Sequence, residues 1–274
     1  MNKILVPVDF STDSINAIEM AIVIANKSNA SIRLIHVSSD KKYDIPIYFK
    51  DLMNGSEFSA ESAFDILINK YKNQIKVPFE TTIRYGKVYR EISNQAKYDD
   101  TDLIIMGTHG ISGFEALFIG SNAYKVVSNV DCNVLTVRNG FMKRDIKRIV
   151  VPIDSSKQTR QKIEDVSEFA TIFNAMVYVV AVRETRLKKI IERINKYSDQ
   201  VCKYFESKNI KYERAELYGR NITDMTIDFA VKHDADMISI MTEQTQNTSN
   251  LWLGKYAQQM VNNSPVPVMS VHPK

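Results

Sequence analysis

Glycine, proline, cysteine and tryptophan are all scarce in this chain of 274 residues, at 9, 7, 2 and 1. So little glycine and proline excludes a collagen-like or low-complexity polymer. With 44% hydrophobic residues, the composition is that of an ordered globular protein of two domains, each able to bury a core. Cys132 and Cys202 are too few and too far apart for a disulfide framework or a metal-ligand set, so both are expected as reduced structural thiols. No apolar run approaches the roughly 20 residues of a membrane span. Met1-Asn2-Lys3-Ile4 leads straight into a strand without the apolar core of a signal peptide, so a cytoplasmic location without membrane partners is expected. Charge of one sign is also missing: 36 basic residues against 32 acidic ones leave a net +4, evenly spread, which argues against a nucleic-acid partner.

Several catalytic signatures are absent as well. There is no Gly-Lys-Ser or Gly-Lys-Thr, so no P-loop lysine, and no Gly-x-Gly-x-x-Gly after the first strand, so no dinucleotide dehydrogenase fingerprint. Neither a metal cluster nor a nucleophile, base and orienting acid can be assembled from the spacing. No catalytic residue is assigned, and slow hydrolysis is the most enzymatic behaviour expected.

What the chain does have is an internal repeat. Lys3-Ile4-Leu5-Val6-Pro7-Val8-Asp9 returns as Arg148-Ile149-Val150-Val151-Pro152-Ile153-Asp154, an offset of 152 − 7 = 145 residues. Leu34-Ile35-His36-Val37 returns as Val179-Val180-Ala181-Val182 at the same offset. Further on, Asp102-Leu103-Ile104-Ile105 matches Asp236-Met237-Ile238-Ser239 and Leu117-Phe118-Ile119-Gly120 matches Leu251-Trp252-Leu253-Gly254, at an offset of 254 − 120 = 134. The first copy therefore carries an insert, placed at Tyr43 to Ser59, which is a candidate lid over a ligand. The domains are read as 1–142 and 143–274, joined by the charged, solvated run Lys143 to Lys147.

Each copy alternates short β-branched runs with helical periods, the pattern of βα units on a parallel sheet. Strands are expected near Lys3–Val8, Ser31–Val37, Phe79–Tyr85, Leu103–Met106 and Asn133–Val137. Ile15, Ile18, Ile22 and Ala25 share one helical face behind a cap at Ser11 or Thr12, and Phe64, Leu67, Ile68 and Tyr71 share another. The fold class is α/β: two tandem doubly wound five-stranded parallel-sheet domains, Rossmann-like, with strand order 3-2-1-4-5. The ligand crevice of such a sheet opens at the switch point between the first and fourth strands. Pro7-Val8-Asp9 and Met106-Gly107 both fall there. The second leads into Thr108-His109-Gly110-Ile111-Ser112-Gly113 and on to Gly120-Ser121, a glycine-spaced loop ending at a helix start. Unpaired N–H groups and the positive end of a helix dipole can hold phosphate at such a start.

Gly107, two residues, Gly110, nine residues, then Gly120 and Ser121, together with Pro7-Val8-Asp9 on strand one, resemble the nucleotide-binding members of the universal stress protein family. The resemblance covers nearly the whole chain as two fused copies, like the tandem members of that family. It implies an ATP-binding module of stress response or signalling, with AMP or ADP as other ligands and magnesium as a companion ion. Pro7, Val8 and Asp9 would border adenine and ribose, with Asp9 accepting from a ribose hydroxyl or the base. Val37 would wall the base, Met106 and Gly107 would line the ribose side, and Gly110 would admit the phosphates. Gly120, Ser121 and Asn122 would bind phosphate oxygens. Where nucleotide-binding members have a hydroxyl residue shortly after the Gly-Ser pair this chain has Ala123, which favours AMP or ADP. His109 reads either as a phosphate contact or as an exposed loop residue. His36, His233 and His272 read as structural.

In the second copy Gly107, Gly110, Gly113 and Ser121 become Met241, Gln244, Asn247 and Lys255. Side chains stand where bare backbone was needed, so only the N-terminal copy is expected to bind nucleotide. Lys255 would fill the vacated phosphate site, pair with Asp154 or face solvent. The resemblance also implies pairing through the last strands, making the chain an intramolecular pseudo-dimer that can dimerise again. A protein partner is implied but not named. The other classes left open are an adenylyl- or phosphoryl-transferring enzyme and a ligand-free interaction scaffold.

Overall fold

In this computed structural model, which describes residues 1–38, 59–108, 120–138, 140–141, 145–242 and 254–273, the β-branched runs of the first copy form parallel strands. They are β1 (Lys3–Pro7), β2 (Ser31–Ser38), β3 (Phe79–Tyr85), β4 (Leu103–Gly107) and β5 (Asn133–Val137). Their order across the sheet is β3-β2-β1-β4-β5, with every pairing parallel. The central strands are apolar along their length because helices cover both faces: Ile4, Leu5 and Val6 of β1 and Leu103, Ile104 and Ile105 of β4 are all buried. At the edge, β3 has only exposed and part-exposed residues.

The helices of this unit are α1 (Thr12–Ser28), α2 (Ala60–Tyr71), α3 (Val88–Asp99) and α4 (Ser121–Asn129). Ser11 caps α1 by accepting from the Ser14 N–H, and Ser59 with Ser62 forms a reciprocal capping box on α2. Ile15, Ile18, Ile22 and Ala25 are buried as their period implied. On α2, Phe64, Leu67 and Tyr71 are buried while Ile68 is only half-buried.

The second copy repeats the plan with β6 (Arg148–Ile153), β7 (Met176–Arg183), β8 (Tyr212–Tyr218), β9 (Met237–Met241) and β10 (Val268–Val271), in the order β8-β7-β6-β9-β10. Its helices are α5 (Ile163–Phe173), α6 (Lys188–Ser207), α7 (Ile222–Lys232) and α8 (Lys255–Asn263). By its internal contacts the chain divides into two units, Met1–Asn139 and Gly140–Lys274. Among the described residues no helix is long and apolar enough to cross a membrane. Of the charged run Lys143 to Lys147, expected to be solvated, Lys147 is exposed but Ile146 is buried.

Two devices recur in both units at matching places. Asn29 and Asn174 end the first helices in the left-handed region, at φ 57° and 49°, where a short polar side chain is tolerated and the following strand can start in a new direction. Asp102, just before β4, accepts from the N–H groups of Asn2 and Lys3 at 2.5 and 3.0 Å. Asp236, just before β9, does the same for Lys147 and Arg148 at 2.7 and 2.9 Å. Each carboxylate ties the start of the first strand to that of the fourth, which fixes the register of the two strands that flank the switch point.

Candidate functional site

Beyond Pro7 the chain keeps its pairing for one more residue, since the Val8 N–H donates to the Ile35 carbonyl at 2.8 Å. The Val8 carbonyl is taken by Nδ1–H of His36 at 2.7 Å. Both main-chain groups of Val8 are thus spent inside the protein, and its side chain is buried. Burial pulls the His36 imidazole below its ordinary 6.5, against the opposing effects of the Val8 carbonyl and the Asp9 and Glu61 carboxylates. A neutral ring with its proton on Nδ1 satisfies the geometry.

The next residue was not foreseen from sequence. Phe10 lies at φ 63°, a region that costs a non-glycine residue about 1–2 kcal/mol. The conformation turns its ring fully inward, where it stacks on His36 at 4.9 Å between centroids and meets Phe64 edge-on at 5.4 Å. Burial and ring contacts offset the strained backbone, and the turn presents Asp9, half-buried, at the carboxyl end of β1. Asp9 Oδ1 accepts from the Ser11 N–H at 3.1 Å and from Ser11 Oγ at 2.5 Å, so the acid supports the turn into α1. Val37, at the edge of burial near the end of β2, lies on the neighbouring strand.

Across the switch point, Met106 is buried and Gly107 ends β4. The reason for glycine here is close approach: a Cβ on Gly107 would come to 2.6 Å from Asp13 Cβ and 2.9 Å from the Asp13 carbonyl carbon. The first turn of α1 rests directly on this backbone. His109 and Gly110, and with them the insert from Tyr43 up to Phe58, lie outside the described residues. The flanks of the loop meet, since the Gly120 N–H donates to the Thr108 carbonyl at 2.7 Å.

Gly120 is the N-cap of α4, at φ −55° and ψ 141°, with no side chain bonding to the helix end. That conformation suits any residue, so its lack of a side chain is not a backbone requirement. The expectation that Gly120 binds phosphate meets a complication, because its N–H is already given to Thr108. The first-turn N–H groups that precede the first intrahelical bond, from Tyr124 to the Gly120 carbonyl, belong to Ser121, Asn122 and Ala123. Ser121 and Asn122 are exposed, and Ala123 is buried. Pro7, Val8, Asp9, Met106, Gly107, Gly120, Ser121 and Asn122 are therefore all at the carboxyl ends of β1 and β4 or the helix start that follows. Among the described residues no group of three His, Cys, Asp or Glu is placed to hold a metal ion.

The second unit keeps the aspartate turn but rebuilds its surroundings. Asp154 Oδ1 accepts from the Ser156 N–H at 2.8 Å, as Asp9 does from Ser11. Residues 157–160 then form a 3-10 turn, and α5 starts only at Ile163. This turn packs on β9, where Met241 replaces Gly107. The cation beside Asp154 is Lys162, not Lys255, which is exposed. Lys162 is 2% exposed, and its ammonium donates to the Thr159 carbonyl at 2.5 Å. Burial lowers its pKa to about 8 while Asp154 pulls the other way. One signal for it was present in the sequence, because Lys162 interrupts the helical stripe of Thr159, Val166, Phe169 and Phe173. Both cysteines are free thiols, each with burial pushing its pKa up, Cys132 to about 12.

Comparison with known proteins fits this duplicated architecture. The model of the universal stress protein family matches residues 1–138 and again 145–272. The chain belongs to the universal stress protein family. Universal stress protein YxiE of Bacillus subtilis is 29% identical over 151 residues, which are 50% of this chain and 99% of that protein. A putative universal stress protein of Staphylococcus aureus (strain USA300) is 26% identical over 169 residues, 60% of this chain and 97% of the relative. Among solved structures, a universal stress protein from Archaeoglobus fulgidus DSM 4304 aligns with a TM-score of 0.76 at 18% identity. The alignment spans 99% of this chain and 98% of that one, a likeness of fold. This universal stress protein is thus a tandem one, with two Rossmann-like halves.

Proposed function

We propose that the first unit of this universal stress protein binds an adenine nucleotide and that the bound ligand biases a conformation or a partner surface in stress response or signalling. The observation that carries the reading is the start of α4. The N–H groups of Ser121, Asn122 and Ala123 and the positive end of the helix dipole stand behind small side chains beside the switch point of the sheet. The absent side chain at Gly120 is read as room for phosphate, since its backbone would accept any residue. His109 and Gly110 complete the proposed phosphate side. Asp9, with Oδ1 engaged by Ser11, offers an acceptor to a ribose hydroxyl or the base, and Val37 an apolar wall. Pro7 and Val8 border that end, and Met106 and Gly107 the ribose side.

ATP, ADP and AMP all satisfy this arrangement. The buried methyl of Ala123 offers no hydroxyl to a terminal phosphate, which favours the shorter nucleotides, and a polyphosphate would bring magnesium with it. The second unit is proposed to take no nucleotide in this manner.

Mass spectrometry of small molecules released from the purified protein, with calorimetric titration, tests the reading. One nucleotide per chain is expected, and Gly120→Trp should abolish binding at unchanged thermal stability because an indole would fill the phosphate space. Unchanged affinity in that variant refutes the placement. If neither release nor binding heat is seen, the chain is an interaction scaffold, and turnover with magnesium would make it an adenylyl- or phosphoryl-transferring enzyme.

A further inference from the structure

The crevice of the second unit holds two large polar side chains where the first copy has small ones. Tyr256 stands at the position of Asn122, and Lys162 at the position of Ala17. Both lie within electrostatic reach of Asp154, and Thr159 links Lys162 to it, its carbonyl accepting from the ammonium and its Oγ1 from the Asp154 N–H at 3.1 Å. Lys162 is wholly enclosed, its ammonium on the Thr159 carbonyl and within electrostatic reach of Asp154. Tyr256, in the first turn of α8, sends its hydroxyl inward to lie near both Asp154 and Thr226 of α7. Burial raises its pKa.

That hydroxyl is shut off from solvent and has no hydrogen-bond partner among the described residues. Thr226 lies close enough to act on it and its own proton goes to the Ile222 carbonyl at 2.7 Å, but the two hydroxyls do not meet in hydrogen-bonding geometry. A buried phenol without a partner gives up its hydration for nothing in return. Its presence is therefore explained by the volume of the ring. In the first copy the same helix position carries exposed Asn122, and Asp9 is bonded to its own turn through Ser11.

We propose that the second unit is filled from within. Tyr256 and Lys162 occupy the room beside Asp154 that a ligand would use, so this copy is held in one closed state and does not respond to small molecules. The closed state is a property of these residues alone. Only the contrast with a responsive first unit rests on the proposed nucleotide function.

The experiment removes the phenol and supplies it again from solution. Tyr256→Ala should lower Tm by on the order of 10 °C, as expected for loss of a large, mostly enclosed side chain. Added p-cresol should restore much of that loss in a saturable manner. It should leave the wild type and Tyr98→Ala, a change at an exposed tyrosine, unaffected. Tyr256→Phe keeps the ring, serves as the variant sure to fold, and should keep Tm within a few degrees of wild type or raise it, because the hydroxyl it lacks had no partner. A Tyr256→Ala protein as stable as wild type, or one that p-cresol does not rescue, overturns the proposal. So does a large loss in Tyr256→Phe, which would mean that the hydroxyl holds a bond. Absence of nucleotide binding in the wild type would fell the reading of the first unit and leave these outcomes as they stand.

Discussion

The imidazole of His36 on β2 donates to the Val8 carbonyl just past β1, and its burial makes the first unit sensitive to acid. Since burial holds the folded-state pKa below 6.5, the unfolded chain takes up a proton at a pH where the folded one does not. Stability conferred by the neutral ring is therefore complete above about 6.5 and declines as pH falls through that value towards the folded pKa. Urea denaturation of wild type and His36→Gln between pH 7.5 and 5 should show a steeper decline in wild type. Parallel profiles would mean that His36 does not titrate differently in the two states. Phe10 belongs to the same contact. Nothing in the one-letter code marks a phenylalanine for positive φ, because the preference comes from a cavity built by His36 and Phe64, residues 26 and 54 positions away. Gly107 was similarly opaque. Its spacing announced a phosphate loop, whereas its immediate constraint is the approach of Asp13.

Elements were more legible than residues. Apolar period and turn chemistry are local, and Phe79–Tyr85 and Asn133–Val137 start and stop where those signals place them. Other ends moved by a residue: β1 runs Lys3–Pro7 against an expected Lys3–Val8, and β4 runs Leu103–Gly107 against an expected Leu103–Met106. The order of strands followed from the right-handed crossover rule together with the βα alternation. What pattern alone did not announce is how strand starts are tied. Asp236 was legible only as the residue that opens a repeated tetrapeptide, yet its Oδ2 accepts from the consecutive N–H groups of Lys147 and Arg148 where the first strand of its unit begins. Asp236→Ala should cost the second unit about 2–3 kcal/mol, the loss of charge-assisted hydrogen bonds that leaves donors without partners. Asp236→Asn should cost less, since an amide oxygen still accepts. Equal stability of the alanine variant and wild type in urea unfolding would show that the register is held elsewhere.

At the scale of the molecule, the duplication separates what the fold needs from what the first site needs. The helix-ending asparagines and the strand-tying aspartates are kept in both copies, so they serve the fold. Gly107, Gly110 and Gly113 are kept in one only, whereas Gly120 recurs as Gly254. Gly107→Met alone should destabilise the first unit by about 3 kcal/mol, since the added side chain meets the Asp13 backbone, which cannot swing away. Replacing residues 9–17 with the sequence of residues 154–162 in the same protein should recover much of that loss, because the second copy opens its helix with a 3-10 turn against Met241. The two changes should be strongly non-additive in denaturant melts; simple addition would deny that the turn makes the space.

That near-contact of Gly107 with Asp13 also limits how the two halves can diverge. A strand end and a helix start far apart in the chain form a single heritable unit, so a change at one is tolerated only after a matching change at the other. The second copy pairs methionine with a 3-10 turn and the first pairs glycine with a helix start, the two combinations such a rule admits.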